Sequence, residues 1–85
     1  MSDAKARFDQ AVADSKLLPA KPDNSNLLKM YSLFKQGSAG DVQGERPGMM
    51  DFVARAKYDA WAALKGQSAE TAMQSYIDLV QSLKG

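Results

Sequence analysis

The 85-residue sequence contains no cysteine and no histidine. Without cysteine there is neither a disulfide framework nor a thiolate zinc site. Without histidine the chain lacks the usual general base near neutral pH and the commonest metal ligand. The two absences together weigh against an ordinary hydrolase and against a metalloenzyme. Excess charge of one sign is also lacking: eleven Lys and Arg against ten Asp and Glu leave a net charge of +1. Any preference for anions must therefore come from a local arrangement of cations, and generic nucleic-acid binding has no basic field to draw on. The longest unbroken apolar run, Ala60 to Leu64, falls far short of the ~20 residues a membrane span needs. The first residues, Met1-Ser2-Asp3-Ala4-Lys5, become charged at once and show no apolar signal-peptide region. The expectation is one soluble, cytoplasmic domain over residues 1–85, monomeric, without stable membrane insertion and without a nucleic-acid partner.

No stretch shows the alternation of a strand, and no internal repeat is present, so the chain reads as all-α with four helices. The first runs from Ala4 to about Lys16 with Phe8, Ala11, Val12 and Ala13 at helical spacing, and Ser2 or Asp3 is placed to cap it. Pro19 and Pro22 then enforce an extended break. A second helix, entered at Asp23, Asn24 or Ser25, carries Leu27, Leu28, Tyr31, Phe34 and Lys35 and is expected to stop near Gly37. The third starts around Met50 or Asp51, directs Phe52, Ala56, Ala60, Ala63 and Leu64 inward, pairs Arg55 with Asp51 and Asp59, and ends at Gly66. The fourth is capped by Ser68, has Glu70 in its first turn, and carries Met73, Tyr76, Ile77, Val80 and Leu83. Between helices two and three lies a loop of about a dozen residues rich in glycine, a length that is usually functional or mobile in so small a domain. It is neither a P-loop, since no Gly-Lys-Ser/Thr follows, nor a dinucleotide fingerprint, since no strand precedes it.

Two lysines stand out from this helical pattern. Lys35 lies one turn beyond Tyr31 and Lys57 one turn before Trp61, so each shares a helical face with an aromatic ring. Neither has an acid three or four residues away, whereas Arg55 has two. Aromatics at helical spacing usually belong to a core, and a lone unpaired lysine such as Lys29 usually only snorkels to water. The pair is different, because the two cations flank the glycine-rich loop and Tyr31 adds a hydroxyl donor beside Lys35. They point to a docking place for an anion with an apolar or aromatic body. From the pattern alone, a solvated surface explains them equally well.

A longer set of motifs carries a resemblance. Tyr31-Ser32-Leu33-Phe34-Lys35-Gln36, Gly40-Asp41, Glu45-Arg46-Pro47-Gly48-Met49, Asp51-Phe52, Ala56-Lys57-Tyr58-Asp59-Ala60-Trp61 and Leu64-Lys65-Gly66 follow one another in order. Phe8, Lys21-Pro22, Ala72-Met73 and Tyr76-Ile77 extend the set over nearly the whole chain. The sequence resembles the acyl-CoA-binding proteins. The resemblance implies a four-helix up-down-down-up bundle with a long loop between helices two and three, acting as a non-enzymatic carrier and buffer of medium- to long-chain acyl-CoA esters. No cofactor is expected, and acyl-CoA-using enzymes are the expected partners besides the ligand. By position, Tyr31, Lys35 and Lys57 match residues that hold the ribose 3′-phosphate of coenzyme A, and Tyr76 matches a contact to the same head group. Phe8, Val12, Lys16, Leu27, Leu28 and Phe34 match positions around the adenine, the pantetheine and the acyl chain. Phe34 replaces a frequent tyrosine, Val12 a smaller alanine and Tyr58 a common tryptophan. With this resemblance the long loop becomes the spacer that lets two helices bring their lysines together.

Two other functions are compatible with parts of the pattern. A helical adaptor would receive a partner helix in the same aromatic groove. An acyl-CoA thioesterase would need a general base that the missing histidine does not supply.

Overall fold

Helix boundaries follow local capping chemistry. In a computed structural model describing residues 3–84, four helices span Asp3–Ser15 (α1), Asn24–Ala39 (α2), Phe52–Ala62 (α3) and Ala69–Lys84 (α4), with no strand among the described residues. The Asp23 carboxylate accepts from the Asn26 backbone N–H at 2.8 Å, and Asp51 does the same for Ala54 at 3.3 Å. Ser68 Oγ accepts from the Thr71 N–H at 3.1 Å. Each cap satisfies a first-turn donor that the helix cannot. The expected Ser2 cap lies outside the described residues.

The expected stop at Gly37 is corrected. The helix continues to Ala39 and ends at Gly40, whose φ of 84° and N–H bond to Gln36 O make it the terminator. Gly37 is instead buried, and a Cβ there would sit 3.1 Å from Met73 Cγ and 3.4 Å from Phe8 Cζ. Its missing side chain lets α2 and α4 approach. The third helix also ends earlier than Gly66, giving way after Ala62 to tight turns that close at Gly66 with φ of 92°.

Side-chain pairs fix the helix directions. Arg7 donates to Gln74, and Lys84 pairs with Asp14 at 3.4 Å, so α1 and α4 run parallel. Gln36, near the end of α2, donates to the Gln67 carbonyl just before α4, so these two are antiparallel. Asn24, Leu27 and Leu28 face Phe52, Val53 and Ala56 across a cleft while Lys35 reaches Trp61, so α2 and α3 run parallel. The order is up-down-down-up.

The core is shared unequally. Phe8, Ala11, Met30, Leu33, Ala72, Tyr76, Ile77 and Val80, from α1, α2 and α4, form one buried cluster. Among the helices α3 packs on α2 alone, and it buries only Trp61. This overturns the inward placement of Phe52 and Ala63: Phe52 is 75% exposed, and Ala63 lies at the surface. With neither α1 nor α4 against it, the first turn of α3 has no core to enter. It becomes one wall of an open cleft.

Candidate functional site

Polar ties hold α3 and the loop before it in place. Trp61 Nε1 donates to Gly40 O at 2.8 Å, and the Tyr58 hydroxyl donates to Gly44 O at 2.9 Å. Arg46 forms a two-pronged pair with Asp59, at 2.8 and 2.7 Å. Asp59 is therefore hydrogen-bonded to the loop arginine, with Arg55 acting on it through its charge alone, and Asp51 is occupied in capping. Fully buried Gln36 donates to Asp41 Oδ1 at 2.9 Å and to Gln67 O at 2.8 Å, while the same Asp41 oxygen accepts from the Gly66 N–H at 2.8 Å. The end of α2, the loop and the turn before α4 thus meet at one carboxylate. Residues 40–51 contribute nothing to the cleft walls, in keeping with a spacer.

This carboxylate gives the fold an acid dependence. The Gly66 N–H, then the Gln36 amide, hold Asp41 below its usual range, and the bond from Arg46 does the same for Asp59. Both groups are depressed on folding, so their stabilisation is complete above the unfolded carboxylate pKa and fades as pH falls through the lower folded value. With no histidine to titrate, the thermal midpoint is expected to stay flat from about pH 5 to 8 and to drop below about pH 4. Asp41→Asn is expected to lower the midpoint at neutral pH and to lose less on acidification. Calorimetric melting of both proteins across this range is the check.

On this frame α2 and α3 present a crossed set of side chains. Lys35 Nζ, from α2, lies over the Trp61 ring of α3, 5.0 Å from its centroid. Lys57 Nζ, from α3, lies over the Tyr31 ring of α2 at 5.4 Å. Tyr31 and Lys35 are one turn apart, as are Lys57 and Trp61, and the helices are parallel, so the two pairs form adjoining rungs. Among the described residues the lysine ion pairs lie elsewhere, Lys5 with Asp9 and Lys84 with Asp14.

One end of this set opens into an apolar cavity of about 370 Å³ lined by Asn24, Leu27, Leu28, Phe52, Val53, Ala56 and Lys57. Met49 and Met50, the latter 90% exposed, are further exposed apolar side chains just before Phe52 and Val53 in the chain. A second group, Phe8, Phe34 and Tyr76, joins α1, α2 and α4. Phe8 stacks on Phe34 at 5.9 Å and meets Tyr76 edge-on at 5.2 Å, and Phe34 lies 6.4 Å from Tyr76. Phe8 and Tyr76 are buried, while Phe34 carries the triad to the surface.

The structure thus brings Tyr31, Lys35 and Lys57 together and places Leu27 and Leu28 on the cavity wall. Val12 is half-buried against the core, and Lys16 is exposed just past the end of α1. Neither lines the cavity. Sequence reasoning missed Asn24, Val53 and Ala56 as cavity residues and placed Phe52 in the core. It also missed Trp61 as the ring under Lys35. The signal for the cavity wall was the Phe52, Val53, Ala56, Lys57 spacing, which defines one face of α3.

Comparison with known proteins addresses the same region. The family model described as "Acyl CoA binding protein" matches residues 5–80. Over 76 residues the chain is 45% identical to acyl-CoA-binding protein homolog 1 of Caenorhabditis elegans, covering 89% of this chain and 88% of that protein. It is 46% identical over 76 residues to enoyl-CoA delta isomerase 2 of Rattus norvegicus, where the match covers 89% of this chain but 19% of the isomerase. The crystal structure of Oryza sativa acyl-CoA-binding protein 2 superposes with a TM-score of 0.90 at 38% identity, covering 94% of this chain and 87% of that one. An acyl-CoA-binding protein structure from Moniliophthora perniciosa gives 0.89 at 42% identity, covering 98% and 80%. The chain belongs to the acyl-CoA-binding protein family, whose small members are non-enzymatic acyl-CoA binders and whose matching segment makes up about a fifth of the isomerase.

Proposed function

We propose that this protein binds medium- to long-chain acyl-CoA esters one to one, buffering them and carrying them between acyl-CoA-using enzymes in the cytoplasm. The observation that carries this reading is the double position of Lys57, which lines the apolar cavity and also holds its ammonium over Tyr31. An anion held by Tyr31, Lys35 and Lys57 therefore has an apolar space beside it, the arrangement an amphiphile with a phosphorylated head requires. In this reading the ribose 3′-phosphate lies between the two lysines and the Tyr31 hydroxyl. The acyl chain follows Leu27 and Leu28 along the cleft, and the exposed part of Phe34 offers a stacking surface for the adenine. Tyr76 contacts the same head group, Phe8 packs under Phe34, and Val12 and Lys16 flank the head group from α1.

The energetics divide accordingly. Burial contributes about 0.8 kcal/mol per methylene, so a dozen methylenes supply nearly ~10 kcal/mol before ordering costs. A lysine about 4 Å from a phosphate contributes at most ~4 kcal/mol at an effective dielectric of 20. The tail dominates affinity, and the cations select the head. Calorimetric titration with octanoyl-, dodecanoyl- and hexadecanoyl-CoA is expected to give saturable one-to-one binding that tightens with chain length. Prolonged incubation with a thiol reagent is expected to reveal no coenzyme A release. Affinity independent of chain length would remove the tail from the account.

A further inference from the structure

The crossed lysine and aromatic pairs have a consequence for how the cations are held, one that rests on the reading of Lys35 and Lys57 as phosphate ligands. A long side chain at a binding site needs a partner to keep it from sampling many rotamers, and every side chain that must be ordered on binding subtracts from affinity. A carboxylate would fix the lysine but would also cancel its charge and compete with the phosphate. An aromatic face holds the ammonium through the ring quadrupole, weakly and without neutralising it. Trp61 suits this role in two respects. It is only 9% exposed, and its Nε1 bond to Gly40 O fixes the plane of the ring that faces Lys35. Gly40 is the residue that ends α2, so the strut under Lys35 is anchored to the helix that carries Lys35. Lys57 rests on Tyr31 in the mirrored arrangement.

We infer that Trp61 is a positioning residue for Lys35, parking its ammonium on the indole face in the unliganded protein so that an incoming phosphate meets a fixed and unneutralised charge. Trp61 itself need not touch the ligand. The role is distinct from packing, because it concerns the ring face and not the volume the ring fills.

The single tryptophan makes the inference measurable. In the unliganded protein, Lys35→Met is expected to change the Trp61 emission, while Lys5→Met, on a helix that does not pack on α3, leaves it as in the wild type. Unchanged emission in Lys35→Met overturns the parking contact. The second arm compares palmitoyl-CoA with palmitoyl-3′-dephospho-CoA by calorimetry in the wild type, Trp61→Phe and Trp61→Leu. Trp61→Leu, which has no ring face, is expected to lower the preference for the phosphorylated ester by about fivefold, and Trp61→Phe, which keeps a weaker ring without the Gly40 bond that fixes it, to lower it by a smaller factor. Equal weakening of both esters in Trp61→Leu means that Trp61 acts by packing alone and overturns the proposal. If Trp61→Leu fails to fold, the emission of Lys35→Met decides. A wild type that binds both esters equally sinks the phosphate reading beneath the inference, an outcome the emission arm keeps separate.

Discussion

Replacing Lys35 with methionine is expected to weaken palmitoyl-CoA binding by about 10- to 100-fold, because a hydrogen bond to a charged group contributes roughly 1.5–3 kcal/mol and the loss is not shared by the tail. Much of the apolar stem of lysine is preserved in methionine, so packing along α2 changes little and the fold is expected to melt within a few degrees of the wild type. The effect must be selective. Binding of palmitoyl-3′-dephospho-CoA should change far less than binding of the complete ester, since the missing phosphate is the partner the substitution removes. Tyr31→Phe is a milder version that removes one donor but keeps the ring under Lys57. If Lys35 and Lys57 can both be replaced by glutamine without consequence for acyl-CoA, the cleft loses its head-group selectivity, and a groove for a partner helix becomes the better description.

The second large effect falls on stability. Phe8 is 2% exposed and touches both Phe34 and Tyr76, so it joins α1 to α2 and α4 at once. Truncation to alanine is expected to cost about 3–5 kcal/mol from lost burial and the cavity left behind. Total stability for a chain of this size is roughly 4–13 kcal/mol, so the loss is a large share of it and at the lower end of that range leaves the variant near the edge of folding. Its thermal midpoint should fall by more than about 15 °C. Phe8→Leu, which refills most of the space, should lose far less. The two variants separate packing from ligand contact: urea titration of the unliganded proteins gives the stability loss, and acyl-CoA binding under conditions where both are folded shows whether the triad also matters to the head group.

Much of this arrangement was legible in the sequence because it is local. The caps at Asp23, Asp51 and Ser68 depend on bonds to residues three positions on, and the spacing of Tyr31 with Lys35 and of Lys57 with Trp61 is a property of any helix. Gly37 and Gly40 were not separable, since both end a helix equally well on paper. Only the approach of Met73 and Phe8 to Gly37, and the positive φ of Gly40, give them different roles. Phe52 was misplaced for a similar reason. Its spacing fits an inward face, but what lies inward of α3 depends on which helices reach it, and only α2 does. The Arg46 pair with Asp59 and the bond from Gly66 to Asp41 join residues 13 and 25 positions apart, and no periodicity reports them. The crossing of the two lysines onto the aromatics of opposite helices belongs to the same class: both halves were visible in the chain, and their exchange of partners follows from the parallel packing of α2 on α3.

The central claim, that one site joins an anionic head to an apolar tail, is tested most directly by titrating the protein with palmitoyl-CoA and with palmitate under the same conditions. Tight one-to-one binding of the ester is predicted, with far weaker binding of the free acid, which offers the tail without the phosphate that Tyr31, Lys35 and Lys57 are arranged to receive. Equal affinity for the two would contradict the claim.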